Sequence, residues 1–201
     1  MTRIDQYGKT LAFLLRHRPD TVGLTVDEFG YVSVAELLVA VTENYFPLDM
    51  ETLEEIVTTD SKGRYAFNDD KTKIRALQGH SFPVNLELVQ KVPPDVLYHG
   101  TPRRNSSNIE AEGLSKMQRN HVHLTDDIYT AFNVGMRYHD KVVICVVDAK
   151  QMSIDGFDFY LSQNNVWLIE HVPSKYLLQV QIDDYSELHT LKEQMDKLLR
   201  E

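Results

Sequence analysis

Three features of the sequence predict an α+β protein built as two lobes. Residues 4–58 carry three segments of helical period, and residues 64–76 carry two short strand-like runs about a turn. Residues 96–182 then hold six strand-like runs and only two helical ones. A stretch containing Pro83, Pro93 and Pro94 separates the two patterns and has no period of its own. The expected divisions are therefore residues 1–81, a connection over 82–94, and residues 95–201.

Taken in order, Ile4, Tyr7, Leu11, Leu14 and Leu15 recur at helical spacing, which predicts an amphipathic helix over 4–17. Pro19 stops it, because proline disfavours helix at the residue before it. Arg16 and His17 then fall in the last turn, where cations interact well with the helix dipole. Asp27-Glu28-Phe29-Gly30 marks a turn between Leu24-Thr25-Val26 and Tyr31-Val32-Ser33. Helices follow over 34–44 and 49–58, then short strands over 64–68 and 73–76 around Asp69-Asp70. Helices closed by a small hairpin suggest a winged-helix-like first lobe.

In the second lobe, strands are expected over 96–99, 121–125, 142–148, 157–161, 166–171 and 176–182. Helices are expected over 105–112, ending at Gly113 as a left-handed cap, and over 126–138, with Asp126 as N-cap. The tail over 185–201 places Leu188, Leu191, Met195 and Leu198 on one side of a helix.

Composition narrows the function. With 201 residues, 42% of them hydrophobic and 25% charged, the chain has ample material for a core. No apolar run approaches the roughly 20 residues that span a bilayer, so no membrane association is expected. Met1-Thr2-Arg3-Ile4-Asp5 lacks the apolar core of a signal peptide, and the single cysteine, Cys145, lies in an apolar run. A cytoplasmic, monomeric protein is expected. A net charge of -9 argues against non-specific binding to a long duplex. The basic residues nevertheless cluster: Arg16 and Arg18; Lys71, Lys73 and Arg75; Arg103 and Arg104; Arg119. Local cations within an acidic chain suit a small phosphorylated target.

The stretch Arg119-Asn120-His121-Val122-His123-Leu124-Thr125 carries the most chemistry. Read as a strand, it puts Arg119, His121, His123 and Thr125 on one face and Val122 and Leu124 on the other. An edge strand with a polar outer face would look the same. His-x-His is also a metal-ligand spacing, but the eight His and one Cys give no third ligand at a convincing spacing, so no metal is expected. Some twenty residues earlier, Tyr98-His99-Gly100-Thr101 ends a strand in a loop, with oriented donors beside a glycine.

That pair of segments resembles the nicotinamide-binding core of ADP-ribosyltransferase folds. Val166, in Asn164-Asn165-Val166-Trp167-Leu168, stands where many such transferases carry a catalytic glutamate. Four motifs in order then narrow the resemblance: Leu14-Leu15-Arg16-His17-Arg18-Pro19; Ile74-Arg75-Ala76-Leu77-Gln78-Gly79-His80-Ser81; Tyr98-His99-Gly100-Thr101; and Arg119 to Thr125. Together they resemble the NAD-dependent RNA 2′-phosphotransferase family, across about residues 11–173. Leu77 stands where a polar residue is commoner in the family, and Thr125 where serine is.

The resemblance implies an ADP-ribosyltransferase-like β-sandwich as the second lobe, NAD as co-substrate, and an RNA with an internal 2′-phosphate, of the spliced transfer RNA type, as partner. The RNA 2′-phosphate attacks the ribose C1″ of NAD and expels nicotinamide, giving an RNA-2′-phospho-ADP-ribose intermediate. The ribose 2″-hydroxyl then attacks phosphorus, releasing 2′-hydroxyl RNA and ADP-ribose 1″,2″-cyclic phosphate. The essential groups map to Arg16, His17, Arg75 and Arg119, and NAD contacts to His99, Gly100, Thr101, Ile109, His123, Leu124 and Thr125. Ile109 has a competing explanation in core packing. The first lobe is expected to bring the RNA phosphate and the second the NAD. Two other functions remain open at this stage: an NAD-dependent transferase that caps terminal RNA or DNA phosphates, and a non-catalytic RNA- or ADP-ribose-binding module.

The chemistry of those residue types is consistent with the implication. A phosphate monoester carries close to two negative charges at neutral pH and needs fixed cations. Guanidinium forks bind its oxygens in pairs and keep their proton, unlike lysine. A histidine beside them can bond the phosphate or move a proton.

Overall fold

Thr2 opens the first helix, α1 (Arg3–Arg16), with a reciprocal capping box: its hydroxyl accepts from Asp5 N at 3.1 Å, and its own N–H donates to Asp5 Oδ2 at 2.8 Å. The computed structural model describes residues 2–198. They divide into two units. One holds the chain up to Leu88, together with Gln118–Asn120 and Ser162–Asn164; the other holds the remainder.

In the first unit, α1 ends just ahead of a 3₁₀ turn at Pro19–Val22. Strand β1 (Tyr31–Ser33) runs directly into α2 (Val34–Asn44), capped by the Ser33 hydroxyl, and α3 (Met50–Thr59) is capped by Asp49. Strands β2 (Tyr65–Phe67) and β3 (Lys73–Ala76) complete an antiparallel sheet of order β1-β3-β2. The core forms from the apolar faces of the three helices and the sheet, including Leu11, Leu14, Leu15, Leu37, Leu53, Ile56 and Ile74. Leu24–Val26 forms no strand, because Leu24 N–H bonds back to Pro19 O and closes the preceding turn.

The second unit contains β4 (Val96–Pro102), α4 (Ser106–Glu112), β5 (Leu114–Ser115), β6 (Val122–Leu124), α5 (Ile128–Gly135) and β7 (Val142–Asp148). After them come α6 (Ala149–Ile154), β8 (Tyr160–Leu161), β9 (Trp167–Ile169), β10 (His171–Val172), β11 (Leu177–Ile182) and α7 (Tyr185–Leu198). The pairings are all antiparallel: β11-β7-β4, β6-β9-β8 and β10-β5. Val143, Cys145 and Val147 pack into one apolar cluster, and Val142, Ile144 and Val146 into another. A strand covered on both faces reads as an unbroken apolar run, and β7 does. Among the described residues no helix is long and apolar enough to cross a membrane.

Several expectations need correction. The connection foreseen over 82–94 is divided: Asn85 N–H bonds to Glu28 O within the first unit, and Lys91 N–H bonds to Phe159 O within the second. Asp127, not Asp126, caps α5, its carboxylate accepting from Tyr129 N and Thr130 N. Gly113 has the expected positive φ of 80° but an extended ψ of -167°. The pair β5-β10 and the helix α6 were not foreseen. The end of the helix expected over 185–201, and the side chain of Leu198, lie outside the described residues.

Candidate functional site

Arg16 lies in the last turn of α1 and His17 is its C-cap. The segment 79–82 is tied to that end, because Ser81 donates to Arg16 O from its backbone N–H at 2.9 Å and from its hydroxyl at 3.4 Å. Arg75 sits on β3 directly across from Tyr31 on β1, so the two side chains share a face. Its guanidinium lies 4.6 Å from the Tyr31 ring centre and donates from Nη1 to Phe29 O at 3.2 Å.

Arg119 does not extend β6 as the alternation predicted. The strand begins at Val122, and Arg119 lies in a bend that groups with the first unit. Asn120 Nδ2 donates to Phe82 O at 3.1 Å, which pins the bend there and breaks the register with His121 and His123. All four expected catalytic residues thus belong to one unit.

Arg119 and Arg16 lie within electrostatic reach of His17, and Arg16, His17 and Arg75 within reach of His80. Burial draws the Arg16 guanidinium down to about 10, and repulsion from Arg64 and Arg119 adds to it while Tyr65 and Asp60 oppose it. Burial, then Arg119, then Arg16, hold His17 below its ordinary value, which favours the neutral ring. One residue to which the sequence assigned no role belongs with them. His80 is 1% exposed, and burial followed by Arg16, His17 and Arg75 pushes it down to about 4. The signal for it was the run Gln78-Gly79-His80-Ser81 immediately after Arg75.

The cluster leaves buried donors of Arg16 and Arg75 without a hydrogen-bond partner among the described residues. Arg64, next to it, is fully paired, its fork meeting Asp60 at 2.7 and 3.0 Å. By contrast, Nε and Nη2 of Arg16, Nε of Arg75 and both ring nitrogens of His80 are buried without a hydrogen-bond partner among the described residues. Buried polar atoms are ordinarily satisfied, and each exception costs about 1–3 kcal/mol. Guanidinium donors held in this way suit a small dianion such as a phosphate.

In the second unit, His99 on β4 bonds through Nδ1 to His123 O at 2.9 Å. A carbonyl oxygen only accepts, so Nδ1 carries the proton and a neutral ring keeps its lone pair on Nε2. Tyr98 and Thr125 exchange backbone hydrogen bonds of 2.7 and 3.0 Å, joining β4 to the end of β6. His121 and His123 are half-buried, and Val122 and Leu124 face the core as the alternation predicted.

The remaining residues expected to hold NAD have structural duties. Thr101 is 4% exposed and accepts from Asn105 Nδ2 at 3.0 Å. The Thr125 hydroxyl accepts from Asp127 N at 3.1 Å. Ile109 and Leu124 lie in the core. The close approach that Gly100 permits is to helix α5, since a Cβ there would fall 1.7 Å from Ala131 O. Among the described residues no three His, Cys, Asp or Glu side chains are grouped to hold a metal.

Known proteins resemble this chain along most of its length. A family model described as RNA 2′-phosphotransferase, Tpt1 / KptA family, matches residues 2–171. A probable RNA 2′-phosphotransferase of Fusobacterium nucleatum is 46% identical over 170 residues, 85% of this chain and 95% of the relative. Proteins of the same name from Trichormus variabilis and Flavobacterium johnsoniae are each 47% identical over 170 residues, covering 85% of this chain and 93% of each relative. The chain belongs to the RNA 2′-phosphotransferase family, a family of enzymes.

Proposed function

We propose that this chain removes an internal 2′-phosphate from RNA, of the spliced transfer RNA type, by transferring it to NAD. The observation that carries the reading is that Nε and Nη2 of Arg16 and Nε of Arg75 are buried with no acceptor among the described residues, with Arg119 and His17 in electrostatic reach of Arg16. A phosphate dianion supplies several acceptor oxygens and the missing negative charge. Lysine in these places would give point charges without the paired fork.

In the first step a phosphate oxygen attacks C1″ of the nicotinamide riboside, the C1″–N bond breaks, and nicotinamide leaves with its electron pair. In the second, the ribose 2″-oxygen attacks phosphorus while the bond to the RNA 2′-oxygen breaks. Charge accumulates around phosphorus in that displacement, so Arg16, Arg75 and Arg119 act by position and electrostatics. His17, whose neutral form is favoured by burial and the nearby arginines, takes part as phosphate ligand or proton carrier. The second unit is assigned to NAD, with His99 and His123 as the polar contacts and Gly100, Thr101 and Thr125 shaping the backbone around them. The first unit is assigned as the winged-helix-like RNA-binding lobe, in a cytoplasmic monomer.

The test is incubation with NAD and an oligonucleotide bearing one internal 2′-phosphate. The expected products are nicotinamide, 2′-hydroxyl RNA and ADP-ribose 1″,2″-cyclic phosphate. Absence of conversion by folded protein removes the proposal. Stable ADP-ribosylated RNA without cyclic phosphate would identify a transferase that stops after the first step.

A further inference from the structure

The core face of α1 is made by Leu11, Leu14 and Leu15, and the end of the helix delivers Arg16 and His17 to the cluster described above. Phe13 falls outside that face and is 45% exposed. A single apolar side chain at a surface needs no explanation by itself. Its neighbours supply one here. Residues four apart lie side by side on a helix, so the exposed Lys9, then Phe13, then His17 form one stripe. The phenyl ring lies 6.4 Å from the imidazole, centre to centre, with the planes tilted by 51°. The two rings are not stacked, so His17 does not cover the phenyl face.

Charge complementarity selects the occupant of this stripe. The carboxylates nearest to it in sequence are engaged: Asp5 in the capping box that opens the helix, and Asp20 with Arg18 at 3.1 Å. At its end stand the buried donors of Arg16 and Arg75 that have no partner among the described residues. An RNA strand whose 2′-phosphate meets those donors brings its neighbouring nucleotides within one residue's length of His17. Phe13, one helical turn or roughly 6 Å back along α1, lies in that range. Stacking on an exposed ring tolerates any sequence, because every base has a π-face.

Resting on the phosphate-site reading above, we propose that Phe13 is a base-stacking platform: it takes the base of a nucleotide adjoining the 2′-phosphorylated one, whatever that base is. The contact requires an unpaired, splayed-out base, so it selects single-stranded RNA around the phosphate. Phe13 touches the substrate but none of the reacting atoms, and its contribution is to binding.

The experiment measures, without NAD, the affinity of the full chain for single-stranded oligonucleotides carrying one internal 2′-phosphate. One is intact, and two others lack the base on the 5′ or the 3′ neighbour of the phosphorylated nucleotide while keeping every phosphate. The wild-type chain should bind one of the two abasic forms about tenfold or more weakly than the intact one, as loss of one stacked base does. Phe13→Ala should lose as much on the intact oligonucleotide and nothing further on that abasic one, a non-additivity that a merely structural role would not produce. Phe13→Trp should bind the intact oligonucleotide at least as well as wild type. The salt dependence of binding should be the same in Phe13→Ala as in wild type, because no phosphate contact is lost.

Unchanged affinity of Phe13→Ala, an equal loss on the intact and both abasic oligonucleotides, or a flatter salt dependence overturns the proposal. A fourth oligonucleotide, with a 2′-hydroxyl in place of the 2′-phosphate, separates this inference from the reading beneath it. Equal wild-type affinity for the phosphorylated and hydroxyl forms overturns the phosphate-site reading itself. A strong preference for the phosphate with no effect of Phe13→Ala overturns the stacking alone.

Discussion

Replacing Arg16 with methionine should stabilise the first unit, whereas the same replacement at Arg64 should destabilise it. Burial is the main cause that draws the Arg16 guanidinium down to about 10 in the folded chain. The charged form is thus penalised by up to about 3 kcal/mol, a penalty complete at any pH below about 10 and fading as pH rises beyond it toward the ordinary guanidinium value. Methionine fills a similar volume, so the net gain should be about 1–2 kcal/mol at neutral pH. Arg64 differs because Asp60 pairs with it at 2.7 Å, the two side chains being 17% and 5% exposed. Removing Arg64 strands a buried carboxylate, at a cost of about 2–4 kcal/mol, softened by the backbone N–H of residue 64 that the carboxylate still accepts. Urea denaturation followed by far-ultraviolet circular dichroism reads the helices of both units. Fluorescence of Trp167, the single tryptophan, reports on the second unit and should not change. Inorganic phosphate should raise the midpoint of the wild-type chain and leave that of Arg16→Met in place. The reasoning fails if Arg16→Met loses more than about 1 kcal/mol while Arg64→Met is neutral, because burial of an unpaired charge would then not be what distinguishes them.

Three further outcomes are expected. Arg119→Ala should slow the second step more than the first, so ADP-ribosylated RNA accumulates on a gel; product kinetics identical to wild type would exclude that role. Gly100→Ala drives a methyl group into the Ala131 carbonyl of α5 and should cost at least about 2–3 kcal/mol, seen as an earlier Trp167 transition; an unshifted transition would mean that β4 and α5 separate easily. His80 titrates at about 4 folded against 6.5 unfolded, so the unfolded chain binds the extra proton. Its contribution is complete above about pH 6.5 and is lost as pH falls through 4, by up to about 3 kcal/mol. His80→Phe should flatten that acid limb, and an identical limb in the variant would assign the loss to other groups.

Much of the architecture was legible because it is local. The span of α2 and that of β7 follow from period and capping: Ser33 before a helical repeat, and an apolar run long enough to be a strand covered on both faces. The pair β5-β10 escaped because two residues carry no period, and α6 because it starts directly from the end of β7 with Asp148 as cap. The alternation over 121–125 held for Val122, His123 and Leu124, but a two-residue repeat cannot say where a strand begins.

The residue types at the site were set by the sequence alone: three guanidinium groups and an imidazole in motifs whose order resembles one enzyme family. Which of them meet was decided by the fold. A bend held by Asn120 and Phe82 brings Arg119 into the first unit, and Gly30 makes the room in which His80 is buried. The physical reason is range. Capping and periodicity act over a few residues along the chain, whereas the burial that neutralises His80 and strains Arg16 depends on segments more than sixty residues apart packing at the end of one helix.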